Sequence, residues 1–252
     1  MVRNNHFEKN RKTLDKLLRP ENRSGECGQL SDILTHVRFW AYTENVLIVV
    51  SDMADGKSHI IAGGFARNLD IGDYQQENSI WESRILSLMS EEEQEQKYIA
   101  ELRFFHYLRH LPKNKKTEYY LISKLRFRFL DGDIHDVLHR MYYMFDENGD
   151  NVRCAVCVYG PLPVDFKGKS FAVNSITGIK EELTAADNGS ILSRRECQIL
   201  AMIDTGMKSA EIADRLNISI HTVSRHRQEI IGKLQVKNTH EACSLAKSMG
   251  LL

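Results

Sequence analysis

The side chains with the clearest chemical potential lie towards the C-terminal end of the chain, in the stretch SIHTVSRHR at residues 219–227. Two histidines, two arginines and three hydroxyl groups occur within these nine residues, although the formal net charge of the whole chain is zero. Imidazole, guanidinium and hydroxyl groups donate hydrogen bonds to phosphate oxygens and to the edges of bases. This local basic cluster is therefore a candidate nucleic-acid contact that the overall charge conceals.

Helical periodicity separates the residues of this region into two faces. At about 100° per residue, Val223, Ile230 and Leu234 form one apolar stripe, which predicts the face that packs on a core. The opposite side carries His221, Ser224, Arg225, Gln228 and Gly232. Arginine can pair through two hydrogen bonds with guanine, and glutamine can do the same with adenine. Arg225 and Gln228 are therefore the predicted base-reading residues, and their face is predicted to enter the major groove of DNA.

Three further side chains lie along one flank of the same helix and suit contacts with the phosphate backbone, namely Thr222, His226 and Lys233. Arg227 falls near the apolar stripe and is the weakest candidate of the cluster. A solvated face of an ordinary helix would give a similar short cluster. The surrounding sequence therefore has to decide between the two interpretations.

The elements around this helix form a compact helical pattern. Ser193 and Glu196 have the spacing of a capping box that opens one helix. Ser209 opens a second helix, and the short segment NIS at residues 217–219 leads into the helix of the basic cluster. A fourth helix can begin at Asn238. Two short helices joined by a tight turn, the second bearing basic and polar residues, are typical of a helix-turn-helix motif.

The segments LSRRE, KSAEIADRLNIS, TVSRH and KLQVKNTHEA, at their spacing in residues 192–252, resemble the LuxR-type helix-turn-helix of bacterial transcription regulators. The resemblance implies a four-helix domain that binds double-stranded DNA as a homodimer on paired half-sites, with an output through RNA polymerase. Lys208 and Ser209 match the family's positions that contact the DNA backbone, whereas Ala210 departs from the polar or charged residue that is usual there. Leu245 and Met249 are candidates for the dimer contact or for the core of the domain.

The preceding region has a different pattern. A β-branched hairpin with an Asp55-Gly56 turn is followed by a helical stretch, in which Ser90 and Glu93 have capping-box spacing, and then by a three-stranded meander. This order resembles the PAS fold, whose members sense ligands, cofactors or partners and often dimerise. We therefore expect an α+β protein, with a PAS-like antiparallel sheet and flanking helices followed by an all-α four-helix helix-turn-helix domain.

Four segments follow from these patterns. Residues 1–30 are an expected N-terminal extension, residues 31–183 a PAS-like sensory or dimerisation domain, residues 184–190 a linker, and residues 191–252 the DNA-binding domain. No resident cofactor is expected, and the sequence leaves open a small-molecule ligand in the N-terminal domain.

Asp52, in the segment VLIVVSDMADG, offers an alternative, because this segment resembles the phosphoacceptor strand of a response-regulator receiver. Such a site needs an acidic pair near the start of the domain to hold Mg²⁺, and the sequence before Asp52 lacks one. A turn role for Asp52 is favoured. A second alternative makes the N-terminal domain an enzyme or a protein-interaction module. Because no catalytic constellation is found, we predict that the protein is not an enzyme.

The cysteines and histidines of the N-terminal domain predict no metal site. Cys154 and Cys157 lie three residues apart on a predicted strand, so they face opposite sides of the sheet and cannot easily share a zinc ion. Two histidine pairs have a spacing of four residues, namely His135 with His139 on a strand and His106 with His110 on a helix. A metal role for the first pair and a haem or metal role for the second stay open as alternatives, but ordinary strand positions and a polar helix face are favoured.

The sequence also bears on where the protein works. No apolar run is long enough to span a bilayer, and the first residues lack the apolar core of a secretory signal. The five cysteines are an odd, scattered set, which favours a reducing compartment over a disulfide framework. A cytoplasmic protein without a membrane partner is therefore expected.

Overall fold

The computed structural model describes residues 18, 30–146, 149, 151–168, 170–183, 192–234, 236, 238–248 and 251–252. The chain divides into two compact units, with the division between Glu182 and Leu183. The predicted linker at residues 184–190 and most of the predicted extension at residues 1–30 lie outside the described residues. Among the described helices, none is both long enough and apolar enough to cross a membrane.

Helices and strands follow the chain in two groups. The N-terminal unit contains α1 (Leu30–Thr43), β1 (Leu47–Asp52), β2 (Lys57–Ala62), β3 (Gln76–Glu77), α2 (Ser83–Leu86), α3 (Glu91–Arg109), β4 (Tyr119–Arg128), β5 (Ile134–Phe145), β6 (Val152–Pro161), β7 (Ser170–Asn174) and β8 (Lys180–Glu182), with 3-10 helices at Gly64–Asn68 and Lys113–Glu118. The C-terminal unit contains α4 (Arg194–Asp204), α5 (Ser209–Leu216), α6 (Ile220–Leu234) and α7 (Thr239–Ser248).

The strands form one antiparallel sheet in the order β3-β2-β1-β6-β5-β4-β7-β8. The first hairpin therefore lies against the last strand of the meander, where Val49 of β1 is paired with Cys157 of β6. The α+β class and the PAS-like antiparallel sheet are confirmed. Strands β7 and β8 were not predicted, because they are short and β8 is exposed along its whole length, which removes the alternating apolar signal.

The receiver alternative for Asp52 is wrong. A receiver requires strands that run parallel with helical crossovers, whereas every described strand pair is antiparallel. Asp52 ends β1 and is fully buried. Its carboxylate accepts hydrogen bonds from the Arg153 guanidinium and, at 2.7 Å, from the backbone N–H of Ala54. Asp52 therefore holds the turn after β1, as the favoured interpretation predicted.

The two faces of the sheet bury different kinds of side chain. On one face, Val37 and Ala41 of α1 pack on Ile48 of β1 and on Cys154 of β6 within an apolar cluster. Cys157 faces the other side, where it lies close to Glu101 of α3 and His139 of β5. Successive residues of a strand alternate between faces, so the predicted placement of the two cysteines on opposite faces is confirmed.

Buried charged groups lie between α3 and the sheet. The Lys97 ammonium is 2.7 Å from the Glu101 carboxylate and 3.1 Å from the Glu82 carboxylate, and all three residues are almost fully buried. The Tyr159 hydroxyl donates to Glu82 at 2.6 Å. Burial alone would raise the pKa of Glu82, but Lys97 and Tyr159 outweigh it and lower that pKa. Burial raises the pKa of Glu101 despite the same lysine. The single ammonium of Lys97 is thus the ion-pair partner of both carboxylates.

Only one of the two hydrogen bonds of the predicted capping box forms at the start of α3. The Ser90 hydroxyl accepts a hydrogen bond from the backbone N–H of Glu93, as predicted. The Glu93 carboxylate does not return to Ser90, because it accepts hydrogen bonds from the guanidinium and the backbone N–H of Arg126 on β4. An ion pair between the helix and the sheet replaces the local hydrogen bond from the Ser90 backbone.

His106 lies in the core and not on a polar helix face, so the default prediction for this residue is wrong. It is 2% exposed, and its Nε2 atom has no hydrogen-bond partner among the described residues. Burial and the nearby charges of Arg109 and His110 lower its pKa to about 4. The folded state therefore holds His106 neutral at pH values where an unfolded chain would protonate it.

We predict that acidification from pH 7 to pH 5 lowers the free energy of unfolding of this unit, with about 2 kcal/mol arising from His106. The pKa of His106 is depressed in the folded state. The stability associated with a neutral His106 is therefore fully present above the pKa of this histidine in the unfolded chain, and it is lost as the pH falls towards about 4. Urea unfolding can follow this unit selectively by tryptophan fluorescence, because the chain contains two tryptophans, Trp40 and Trp81, and both lie in it.

His106→Leu should remove that part of the pH dependence. His36→Asn, which changes an exposed histidine of α1 in the same unit, should retain the wild-type profile. Identical pH profiles for wild type and His106→Leu would contradict the assignment.

Candidate nucleic-acid interface

The connection between α5 and α6 is a tight turn. Asn217 closes α5 in the left-handed conformation at φ 55°, which asparagine tolerates better than most residues, and Ile218 donates its backbone N–H to Ala213 at 3.0 Å. Ser219 then caps α6, because its hydroxyl accepts the backbone N–H of Thr222 at 3.0 Å. Three residues therefore join the two helices, and each of the two helix ends makes a local hydrogen bond.

One face of α6 is anchored in the core of the C-terminal unit. Val223, Ile230 and Leu234 have no exposed surface, as their periodicity predicts. Helix α6 contacts each of the other three helices. These helices contribute further apolar residues with little or no exposed surface, namely Ile199, Leu200, Ile212, Ala213, Ala242 and Ala246. The rotation of α6 about its own axis is thereby set.

The opposite face of α6 is polar and open to solvent. It carries the exposed side chains of His221, Ser224, Arg225 and Gln228. The side chain of Arg225 is 68% exposed, and its Nε atom lies 3.2 Å from the Glu229 carboxylate. Four of the five residues predicted for this face are thus together on one surface, with the two predicted base readers among them.

Glu229 was missed by sequence reasoning, and it modifies this surface. Its carboxylate also lies 3.2 Å from Nδ1 of His226, although the geometry does not make a hydrogen bond. The Glu229 carboxylate is 40% exposed, so Arg225 can leave it for a phosphate or a base edge at little cost. The spacing of four residues between Arg225 and Glu229 on a helix was the available signal.

The predicted backbone-contacting residues on the flank of α6 are partly engaged within the domain. The hydroxyl of Thr222 is 2.9 Å from that of Ser219. Lys233 forms a 2.7 Å ion pair with Glu196, a carboxylate that is 2% exposed. Burial would raise the pKa of Glu196, but Lys233 and hydrogen bonds from Ser193 lower it. Lys233 therefore neutralises a buried acid, and a phosphate contact by Lys233 has to compete with that pair.

Arg227 connects three helices. Its guanidinium donates to the Ser209 hydroxyl of α5 and to the Thr239 hydroxyl of α7, both at 2.9 Å. The hydroxyl of Ser209 is thus engaged within the domain, whereas the side chain of the neighbouring Lys208 is exposed at the start of α5. The backbone N–H of Lys208 donates to Glu211 at 2.6 Å. Arg227 belongs to the scaffold of the interface and not to its surface.

The remaining predicted positions lie outside the described part of the molecule. These are Met249 and the side chain of Leu245, which were candidates for a dimer contact.

Comparisons with known proteins address the same region. A family model for bacterial regulatory proteins of the luxR family matches residues 190–246. Two oxygen regulatory proteins NreC, from Staphylococcus aureus (strain bovine RF122 / ET3-1) and Staphylococcus haemolyticus (strain JCSC1435), are 36% and 34% identical over 95 residues. These matches cover 37% of this chain and 44% of each relative, so the chain spans less than half the length of the curated relatives it matches.

Solved structures are less similar. A complex of Vibrio cholera VqmA with a ligand and DNA aligns with 13% sequence identity and a TM-score of 0.31, over 86% of this chain and 89% of that chain. The family match and the arrangement of α4 to α7 lead to the same assignment. The C-terminal domain of this chain is a LuxR-type helix-turn-helix domain of the bacterial regulatory proteins.

Proposed function

We propose that the protein is a transcriptional regulator that binds double-stranded DNA sequence-specifically, with α6 in the major groove. The observation that carries the proposal is the exposed polar face of α6, which lies opposite a fully buried apolar stripe. A helix held in this way presents a fixed set of donors and acceptors to base edges. The regulatory role of the family and of the NreC relatives supports the same function.

The side chains have separate roles in this proposal. Arg225 and Gln228 read bases, with His221 and Ser224 beside them on the same face. The positions assigned to the DNA backbone are Lys208, Ser209, Thr222, His226 and Lys233. Among these, Lys208 is the most available, because its side chain is exposed. Thr222, Ser209 and Lys233 each have a partner within the domain. No catalytic step is assigned to the chain.

The proposal extends to assembly and signal. Two copies would read the two halves of a palindromic site, with the N-terminal unit controlling how they pair and RNA polymerase as the downstream partner. A cleft of about 440 Å³ in the N-terminal unit has the size of a small-molecule site. Its lining includes Arg38 and Tyr42 of α1 and His59 of β2. This cleft supports ligand sensing as the role of that unit.

Fluorescence anisotropy with labelled promoter fragments tests the central proposal. We expect binding of the full-length protein to a subset of fragments, with an affinity that falls steeply as salt increases, because phosphate contacts release counterions. A random duplex of the same length is the control and should bind more weakly at every salt concentration. Equal affinity for all duplexes, or no binding to any fragment across the promoter set, would refute sequence-specific recognition.

Arg225→Ala should weaken binding to the specific site by about 1–3 kcal/mol, because a two-pronged contact with a base is lost. Binding to random duplex should change much less, since Arg225 is assigned to bases and not to phosphates. The matched control is Arg194→Ala, which removes the same charge from an exposed position of α4. An equal loss on both duplexes would reassign Arg225 to the DNA backbone.

Arg227→Ala should act through stability. Two charge-assisted hydrogen bonds between helices are lost, so the free energy of unfolding of the C-terminal unit should fall by about 1–3 kcal/mol. Thermal unfolding followed by far-ultraviolet circular dichroism measures this, and Arg225→Ala should leave the same transition unchanged. Binding of Arg227→Ala to specific and random duplexes should fall by the same factor. Unchanged stability, with loss of the specific complex alone, would instead assign Arg227 to base reading.

A further inference from the structure

Three side chains with metal-binding atoms meet inside the N-terminal unit. Glu101 comes from α3, His139 from β5 and Cys157 from β6, and one ligand atom of each lies within 4.8 Å of the other two. Their exposed fractions are 3%, 0% and 6%. Carboxylate oxygen, imidazole nitrogen and thiolate sulfur are the three donor types that proteins use for zinc. The fold has therefore brought one of each to a single buried point.

The histidine has one ring nitrogen engaged and one without a partner. Nδ1 of His139 is 2.9 Å from the Ser123 hydroxyl on the neighbouring strand. Nε2 is fully buried and makes no hydrogen bond within the described residues. Proteins commonly orient a metal-binding histidine in this way, with a hydrogen bond to one nitrogen that leaves the lone pair of the other for the ion. Ser123 is placed to act as that orienting group.

The charges around the three donors also favour a cation. Glu82 and Glu101 are two buried carboxylates that share one ammonium, that of Lys97. When both carboxylates are ionised, this cluster carries one uncompensated negative charge. A divalent cation that binds Cys157 as its thiolate makes the whole group neutral. The neutral cluster is the arrangement that a buried, low-dielectric site tolerates best.

We propose that Glu101, His139 and Cys157 bind a divalent transition metal ion of the zinc class, with a fourth coordination position left open. Bonds of about 2.0–2.3 Å in a tetrahedral site bring the donors within about 4 Å of one another. The donors therefore need to move inward by no more than about 1 Å. Binding releases the Cys157 thiol proton to solvent and involves no change of oxidation state. This site differs from the cysteine pair rejected on sequence grounds, because it uses Cys157 without Cys154.

Cobalt(II) is a suitable probe, because a thiolate bound to this ion gives an intense charge-transfer absorption. The full-length protein, stripped with a chelator, should bind one equivalent of Co²⁺ with this band, and Zn²⁺ should displace it. X-ray absorption of the loaded wild-type protein should place one sulfur beside nitrogen and oxygen ligands. A shell without sulfur, or the absence of stoichiometric binding, would overturn the proposal without the need for any variant.

Variants locate the site. Cys157→Ser should abolish the band, and Glu101→Gln should weaken Co²⁺ binding at least about tenfold while it retains the thiolate absorption. Cys154→Ser is the matched control, since it alters a buried cysteine of the same strand on the opposite face and should leave the titration unchanged. Unfolding monitored by tryptophan fluorescence confirms that each variant is folded. A band that persists in Cys157→Ser, or disappears in Cys154→Ser, would refute the assignment.

Discussion

Burial of one stripe of α6 is the constraint on which the C-terminal domain depends. Val223, Ile230 and Leu234 are completely removed from solvent, and each such burial contributes about 1.5–3 kcal/mol. Because these residues cannot rotate out of the core, the side chains on the opposite face have no freedom to turn inward. The tight turn at Asn217 then fixes α6 relative to α5. The orientation of the face that we propose to read DNA thus depends on an apolar contact on the other side of the helix.

The basic residues of this domain divide between scaffold and surface according to their acidic or hydroxyl partners. Lys233 faces Glu196, which is 2% exposed, so the loss of this pair would leave a buried charge. Arg225 faces Glu229, whose carboxylate is 40% exposed. Water can therefore solvate this carboxylate if Arg225 binds the proposed base or phosphate instead. Arg227 holds two hydroxyl groups of other helices. A neutral overall charge is compatible with this division, because salt screens exposed charges from one another beyond about 8–10 Å.

The N-terminal unit uses the alternation of its strands to separate two interiors. The buried cluster that faces α1 is apolar, and Cys154 belongs to it. The interior between α3 and the sheet holds a lysine and a carboxylate of α3 itself, together with a second carboxylate, a histidine and a thiol, all buried. Such a polar interior contributes less to stability than an apolar one, since each group must be desolvated. Ion pairs and hydrogen bonds among these groups offset part of this desolvation cost. A ligand or ion would gain the most binding free energy from the polar groups that have no hydrogen-bond partner.

Local patterns in the sequence determined the helices of the C-terminal domain, the hairpin, the meander and the apolar stripe of α6, because periodicity and capping act over a few residues. They also determined that Cys154 and Cys157 face apart. Long-range pairing decided the rest. Strand β8 has no buried residue to reveal it, Glu93 pairs with Arg126 and not with Ser90, and His106 points into the core. Glu101, His139 and Cys157 are distant in sequence, so only the packing of α3 on the sheet brings them together.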